Sequence, residues 1–533
     1  MRAVYVLLCL ALARNAVCNI VRHQYNPRVD TLVVHPNDYA DQVQREREVK
    51  MTHHHESVSQ ESKEQFSYDD VGDYPTSFRS VKNWNVPVFS TVVTQSDQVP
   101  YGDVIEWRGV QIAVGPNSPV SETKEIERIF RDAYKTIQHV SEEDKKKIHD
   151  LFQYNGGKYE EDSHYNATQL IRKYHYGVEE HVVKTDDGYF LTLFRIKAKQ
   201  DSFEVTKRPV VFLMHGVLGS ADEWLLMGPE YSLAYLLTDA GYDVWLGNVR
   251  GNKYSRRHVT KHVSNPDFWQ FSIDEIALMD LPVMIDYALK VSEQKKLIYI
   301  GHSQGSTIFF ALAATHPEYR EKITMMFALS PMVYMTNVRS PLFRMIAPSS
   351  QFYERLYDGI GHEEFQPSKE LVHTIGGNIC DWEIGCKHIC SNIYFVMAGV
   401  DTAGMDFDLI PSIASHLPAG ASTRQIFHYG QGVASQEFRK FNYGVDINKK
   451  IYGQNVPPKY NMSEVDVPVV LYFSEEDWLA HPKDVERLHR ELPNVKEVYE
   501  VPEQHFSTMD FQFSKKAPEI VYKRLIESIK NYY

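Results

Sequence analysis

The sequence predicts an α/β fold on a mostly parallel sheet, with an inserted cap or lid and a polar N-terminal extension. Three observations carry this expectation. After residue 160, short and continuously apolar runs alternate with helical segments, the pattern of strands covered on both faces by crossover helices. Between about residues 331 and 465 that alternation fails, as Pro, Gly and three cysteines crowd together, which reads as an insertion. Before residue 160 the chain is polar and mixed in charge, with acidic clusters such as Asp69-Asp70.

Taken in order, residues 1–18 read as a secretory signal. Arg2 precedes an apolar run over 3–13, and Ala16-Val17-Cys18 offers small residues for cleavage near Asn19. Residues 19–160 form the extension. Its His53-His54-His55 triplet lacks the spacing of a coordinating set and reads as solvated loop. Within it, Ile126, Phe130, Ala133, Ile137 and Val140 fall near one helical face, which predicts partial order over 121–152. Residues 161–533 form the main domain. Asp187-Gly188 between apolar-alternating runs predicts a hairpin, and 210–214, 243–246, 297–300, 324–329 and 469–473 predict buried strands. The capping box Ser272-Ile273-Asp274-Glu275 opens a helix over 272–291. An insertion leaving after 324–329 would sit at the carboxyl ends of the strands, where such sheets bind ligands.

Composition removes several classes. The 533 residues carry a formal net charge of −13, which disfavours nucleic acid and anionic membrane as partners of the whole chain. With 5 Cys, neither a disulfide miniprotein nor a Cys-rich zinc module fits. After the first residues no apolar stretch reaches the roughly 20 residues that span a bilayer, so no transmembrane segment is expected. Secretory entry makes one disulfide among Cys380, Cys386 and Cys390 an expectation, and Asn166 and Asn461 head glycosylation sequons. No metal and no organic cofactor is called for.

The chemistry centres on Gly301-His302-Ser303-Gln304-Gly305, placed between a strand and a helical run. A serine carried through so tight a turn leaves little room for neighbouring side chains, so glycines flank it two residues away on each side. Such a hydroxyl becomes a nucleophile when an imidazole takes its proton and a carboxylate fixes the imidazole's tautomer. In this strand-turn-helix setting the order runs Ser, acid, His. Asp477 follows the strand 469–473 and His505 follows a strand-like run at 497–501; Glu475 and Glu476 rival the acid, and His481 and His489 rival the base. Two amides must receive the oxyanion: that of Gln304, after the nucleophile, and that of Val217 in His215-Gly216-Val217-Leu218-Gly219. His215 precedes Ser303 and so reads as loop support rather than base.

These motifs, with Asp187-Gly188-Tyr189, the run Gly241 to Asn248, Arg250-Gly251-Asn252 and Ser255-Arg256-Arg257-His258, resemble the acid lipase family of gastric lipase and lysosomal acid lipase in its insect lipase 3-like form. The resemblance covers about residues 162–533. It implies an α/β-hydrolase fold, catalytic Ser303, Asp477 and His505, and oxyanion donors at Val217 and Gln304. It also implies a cap disulfide between Cys380 and Cys390, which leaves Cys386 over. The extension is longer than the short propeptide of that family. Two further classes stand beside the lipase expectation: a catalytically silent lipid-binding protein, and an acyltransferase sharing the acyl-enzyme. The expected substrate is a lipid ester at an interface, triacylglycerol or steryl ester, and the expected location is secreted, with lysosomal as the alternative.

Overall fold

The computed structural model describes residues 104–107, 110–113, 161–199, 208–350, 363–366, 392–399 and 404–532. The signal run, the His triplet, the helical pattern over 121–152 and all of Cys380, Cys386 and Cys390 lie outside those residues.

A two-stranded antiparallel hairpin, β1 (Val104–Trp107) and β2 (Val110–Ala113), stands in the extension, with Val104 opposite Ala113 and Trp107 opposite Val110. The extension is therefore not wholly irregular. Short runs containing Val, Ile and Trp on either side of Arg108-Gly109 carry the signal.

In the main domain a 9-stranded sheet runs in the order β11-β10-β9-β8-β5-β6-β4-β3, with β7 beside β4. Its strands are β3 (Tyr176–Lys184), β4 (Tyr189–Lys199), β5 (Val210–Met214), β6 (Asp243–Leu246), β7 (Arg257–His258), β8 (Leu297–His302), β9 (Ile323–Leu329), β10 (Val469–Phe473) and β11 (Val495–Glu500). The six strands from β11 to β6 pair in parallel, while β4 pairs antiparallel with β3, β6 and β7. Every residue of β5, β6 and β8 is buried, which accounts for their uninterrupted apolar sequence. At the edge, β11 alternates half-buried with exposed residues and begins two residues earlier than its sequence suggests. Phe212 and Tyr299 stack with centroids 5.9 Å apart between neighbouring strands. Full burial of each such ring contributes on the order of 2–3 kcal/mol.

The hairpin turn forms at Asp187-Gly188 as expected, Gly188 taking φ 100° and donating to Thr185 O. It is locked from a distance. The buried Arg250 guanidinium grips Asp187 with Nη1 at 2.6 Å and Asp280 with Nε at 2.7 Å, while lying 4.0 Å from the Tyr189 ring centroid. Two separate sequence motifs thus form one ion cluster.

Ser272 caps its helix through the expected box. That helix is not uniform: a π-turn occupies Ile276–Asp280 before α3 (Leu281–Val291). Pro282 has no N–H for the ladder and its ring crowds the preceding turn, so a widened turn just ahead accommodates it. Preceding it are α1 (Ala167–Lys173) and α2 (Leu233–Asp239), and after it come α4 (Gln304–Thr315) and the helices between β9 and β10: α5 (Pro341–Ser350), α6 (Ile393–Ala398), α7 (Ile410–His416), α8 (Thr423–Ser435) and α9 (Val445–Tyr452). Because β9 and β10 are direct neighbours, all of 330–468 is an excursion from the sheet. Its root is charged: Lys253, the Tyr254 hydroxyl at 2.7 Å and His416 of α7 at 2.7 Å all meet the buried Asp222. After β10 come two longer helices, α10 (Pro482–Glu491) and α11 (Lys523–Tyr532).

Candidate active site

The nucleophile turn sits at the carboxyl end of β8, at the middle of the sheet. Ser303 takes φ 50° and ψ −111°, a left-handed conformation that a non-glycine residue holds only when its surroundings impose it. They do so by contact. A Cβ at Gly305 would lie 2.3 Å from Met214 O, and one at Gly301 would lie 2.6 Å from the Gly305 backbone, so neither position admits a side chain. Ser303 O accepts the amides of Ser306 and Thr307, which starts α4 at the serine itself. Ser303 Oγ is buried and has no hydrogen-bond partner. A buried hydroxyl so placed is poised for a ligand rather than for the fold.

The second expected donor loop lies directly against it. A Cβ on Gly216 would stand 3.3 Å from Ser303 Cβ. Glu223 Oε1 accepts the Gly216 amide at 2.6 Å, and Leu218 turns through φ 61°, which shapes the loop around buried Val217. His215 supports this loop, as its chain position suggests: its Nδ1–H donates to Gly216 O at 2.8 Å while Nε2 accepts from Val249 N–H and Asn252. Burial lowers the imidazole's affinity for a second proton, consistent with that neutral tautomer. Gln304 is fixed from the cap side, its Oε1 accepting Gln425 Nε2 at 2.6 Å and the Tyr429 hydroxyl at 3.2 Å. Ala419 N–H donates to Leu218 O at 2.6 Å. The excursion after β9 therefore reaches over the Ser303 turn and the loop of His215 to Gly219. A cavity lined in part by Ile273, Thr307, Val333, Met335, Tyr429 and Phe438 opens beside α4.

The acid and base end is arranged differently from the sequence expectation. Asp477 is fully buried after β10, and its carboxylate accepts the amides of Leu479 (2.8 Å) and Ala480 (3.0 Å), the Ser330 hydroxyl (2.6 Å) and the Thr508 hydroxyl (2.7 Å). His505 is not among these partners. Its Nδ1 lies 2.7 Å from Glu476, and both side chains are about a third or more exposed, at 32% and 41%. The structure thus brings His505 to one of the rival carboxylates and does not join Ser303, Asp477 and His505 in one hydrogen-bonded relay. The other rivals are placed plainly. Glu475 is exposed, and His489 is exposed on α10. His481 caps α10, and burial with Arg339 and Lys483 nearby lowers its pKa to about 4.

Three residues that sequence reasoning passed over stand at this site. His302 is buried beside the nucleophile and donates from Nε2 to Thr508 O at 2.9 Å. Thr508 and Ser330 are the other two; their only sequence mark is position, Ser330 directly after β9 and Thr508 in the loop that follows β11. Both predicted sequon asparagines are exposed: Asn166 caps α1, and Asn461 caps the short turn Met462–Glu464. Among the described residues no helix is long and apolar enough to cross a membrane.

Comparison with known proteins fits this geometry. Residues 167–228 match the partial α/β-hydrolase lipase region and residues 209–358 match the α/β hydrolase fold. The chain is 40% identical to Lipase 3 of Drosophila melanogaster over 357 residues, 67% of this chain and 91% of that one. It is 38% identical to gastric triacylglycerol lipase of Bos taurus over 68% of this chain and 90% of that one. Against lipase member K of Homo sapiens the identity is 36%, over 69% and 91%. A nucleophile turn on a mostly parallel sheet, a cap after β9 and relatives covered almost end to end place this chain in the α/β-hydrolase lipase family, the carboxylic ester hydrolases that include gastric lipase and Lipase 3.

Proposed function

We propose that the site takes a lipid ester, triacylglycerol or steryl ester, and that its acyl group passes to Ser303. One observation carries this reading: a strained turn presents a buried hydroxyl without partner between two amide-bearing loops and a covering cap. As Oγ attacks, the carbonyl oxygen gathers negative charge, which the amides of Val217 and Gln304 would receive in a site closed to water. The positive end of α4 adds to that field. The apolar side chains of Ile273, Val333, Met335 and Phe438 give an acyl chain somewhere to lie. Water then completes hydrolysis by attacking the acyl-enzyme. Transfer to an alcohol is the variant outcome of the same intermediate.

For the proton, His505 with Glu476 beside it is proposed as the base of a slow residual turnover, and Asp477 as a buried anchor for the loop. That assignment departs from the pairing of Asp477 with His505 implied by resemblance. The second reading, lipid binding with little turnover, is favoured by the hydroxyls that occupy Asp477. Release outside the cell, with the lysosome as alternative, is proposed from the residues 1–18 pattern and supported by the exposed Asn166 and Asn461. The deciding experiment measures hydrolysis of emulsified triacylglycerol, cholesteryl ester and soluble short-chain ester by the full chain and by Ser303→Ala. Turnover on any of them that vanishes with Ser303→Ala supports the assignment; equal turnover by the variant removes it.

A further inference from the structure

We propose that Thr508 stands in the general-base position of this site, so that the chain holds a lipid ester against Ser303 and turns it over slowly. The inference rests on the reading above that Ser303 meets the ester carbonyl. Of the residues near the nucleophile, 508 is the one that touches both ends of the reaction site. Its carbonyl accepts His302 Nε2, one residue before Ser303, at 2.9 Å, and its hydroxyl lies 2.7 and 2.8 Å from the two oxygens of Asp477. An imidazole on this residue would start beside the buried carboxylate, on a backbone whose carbonyl already rests against the residue preceding Ser303, which is where a proton relay needs its base.

Asp477 itself looks like a carboxylate built to orient such a ring. It is fully buried at a strand end beside the nucleophile strand's neighbour β9, far from any surface role. Yet its roughly four acceptor sites are taken by two amides and the hydroxyls of Ser330 and Thr508. A swing of His505 toward Asp477 must first displace Thr508. His505 is three positions upstream, already engaged by Glu476 at the solvent edge.

The chemistry follows from the hydroxyl. Attack forms the Oγ to carbonyl-carbon bond and releases the Ser303 proton, which must reach a base and later the departing alkoxide as the ester C–O bond breaks. A threonine hydroxyl cannot hold that proton at neutral pH, whereas an imidazole can. General bases contribute about 10²–10⁴-fold to such steps, so the wild-type chain should bind well and react slowly.

The test is Thr508→His in the full chain, with Thr508→His/Ser330→Ala as companion should the larger side chain need the space of the Ser330 hydroxyl. Four quantities are read: melting temperature, rate of covalent labelling by a fluorophosphonate, turnover of a short-chain ester against pH, and binding of a non-hydrolysable diether glycerolipid. The expected result is unchanged lipid binding with labelling and turnover raised about tenfold or more in at least one folded variant. The pH profile should gain an inflection near the imidazole range of about 6.5, and the gain should survive His505→Ala. Folded variants that label no faster than wild type overturn the proposal, as does a gain that disappears with His505→Ala. Failure of the underlying reading looks different: wild type would not bind the diether lipid, and Ser303→Ala would label as strongly as wild type.

Discussion

The two ends of the active site are built on different principles. The Ser303 turn is held by backbone packing, with Gly301 pressed against the turn's own main chain and Gly305 against Met214 at the end of β5. The acid and base end, by contrast, is assembled from three loops, after β9, β10 and β11, which meet through side-chain hydrogen bonds: Ser330, Asp477 and Thr508 in one group, Glu476 and His505 in another. Steric constraints of the first kind survive sequence change as long as the glycines stay. Hydrogen-bonded constraints of the second kind are redistributed by one residue, because a hydroxyl and an imidazole can occupy the same acceptor.

The sharpest break in this comparison comes from Ser303→Ala, which should abolish fluorophosphonate labelling while leaving the melting temperature near that of wild type. Intact-protein mass spectrometry measures it. Next in size, Glu476→Gln should lower residual turnover on a soluble ester by about tenfold, more than Asp477→Asn does. The reverse order, read from initial rates at matched protein concentration, would return the acid to Asp477. Asp477→Asn should instead cost about 1–3 kcal/mol of stability, since it disturbs a buried and saturated hydrogen-bond group.

A third comparison probes the loop that carries Val217. Burial by itself would raise the Asp222 carboxyl, but Lys253 and His416 outweigh it and hold it well below the usual carboxylate range. A depressed folded pKa stabilises above the unfolded value of about 3.9 and loses that stabilisation as pH falls through and below it. Asp222→Asn should accordingly cost about 3 kcal/mol near neutrality, with the gap to wild type narrowing below about pH 4. Denaturant melts at neutral and acid pH read both. The smallest effect expected is that of Tyr429→Phe, which removes one hydroxyl from Gln304 while Gln425 remains. Its cost should be about 1 kcal/mol or less, seen as a slight loss of activity on emulsified ester.

Local rules made much of this protein legible. Strands β5, β6 and β10 occupy the residues their apolar runs mark, the Asp187-Gly188 hairpin forms, and Ser272 caps its helix. The hairpin of β1 and β2 was missed because its apolar residues are few and surrounded by polar chain. The π-turn before Pro282 escaped because an i→i+5 turn has the same apolar periodicity as the helix around it.

What the sequence by itself determined is therefore the sheet, the place of the Ser303 turn and the loop that faces it, because each depends on residues adjacent in the chain or on glycines that only one backbone shape requires. What tertiary structure alone decided is the identity of the partners at the other end. His505 and Thr508 are both downstream of Asp477 and within three residues of each other, so chain order could not choose between them. The choice fell to the loop after β11, whose backbone carries residue 508 inward to His302 and Asp477 while His505 remains at the solvent edge with Glu476. Burial then enforces it, since a buried carboxylate takes whichever donors the fold delivers within hydrogen-bond reach.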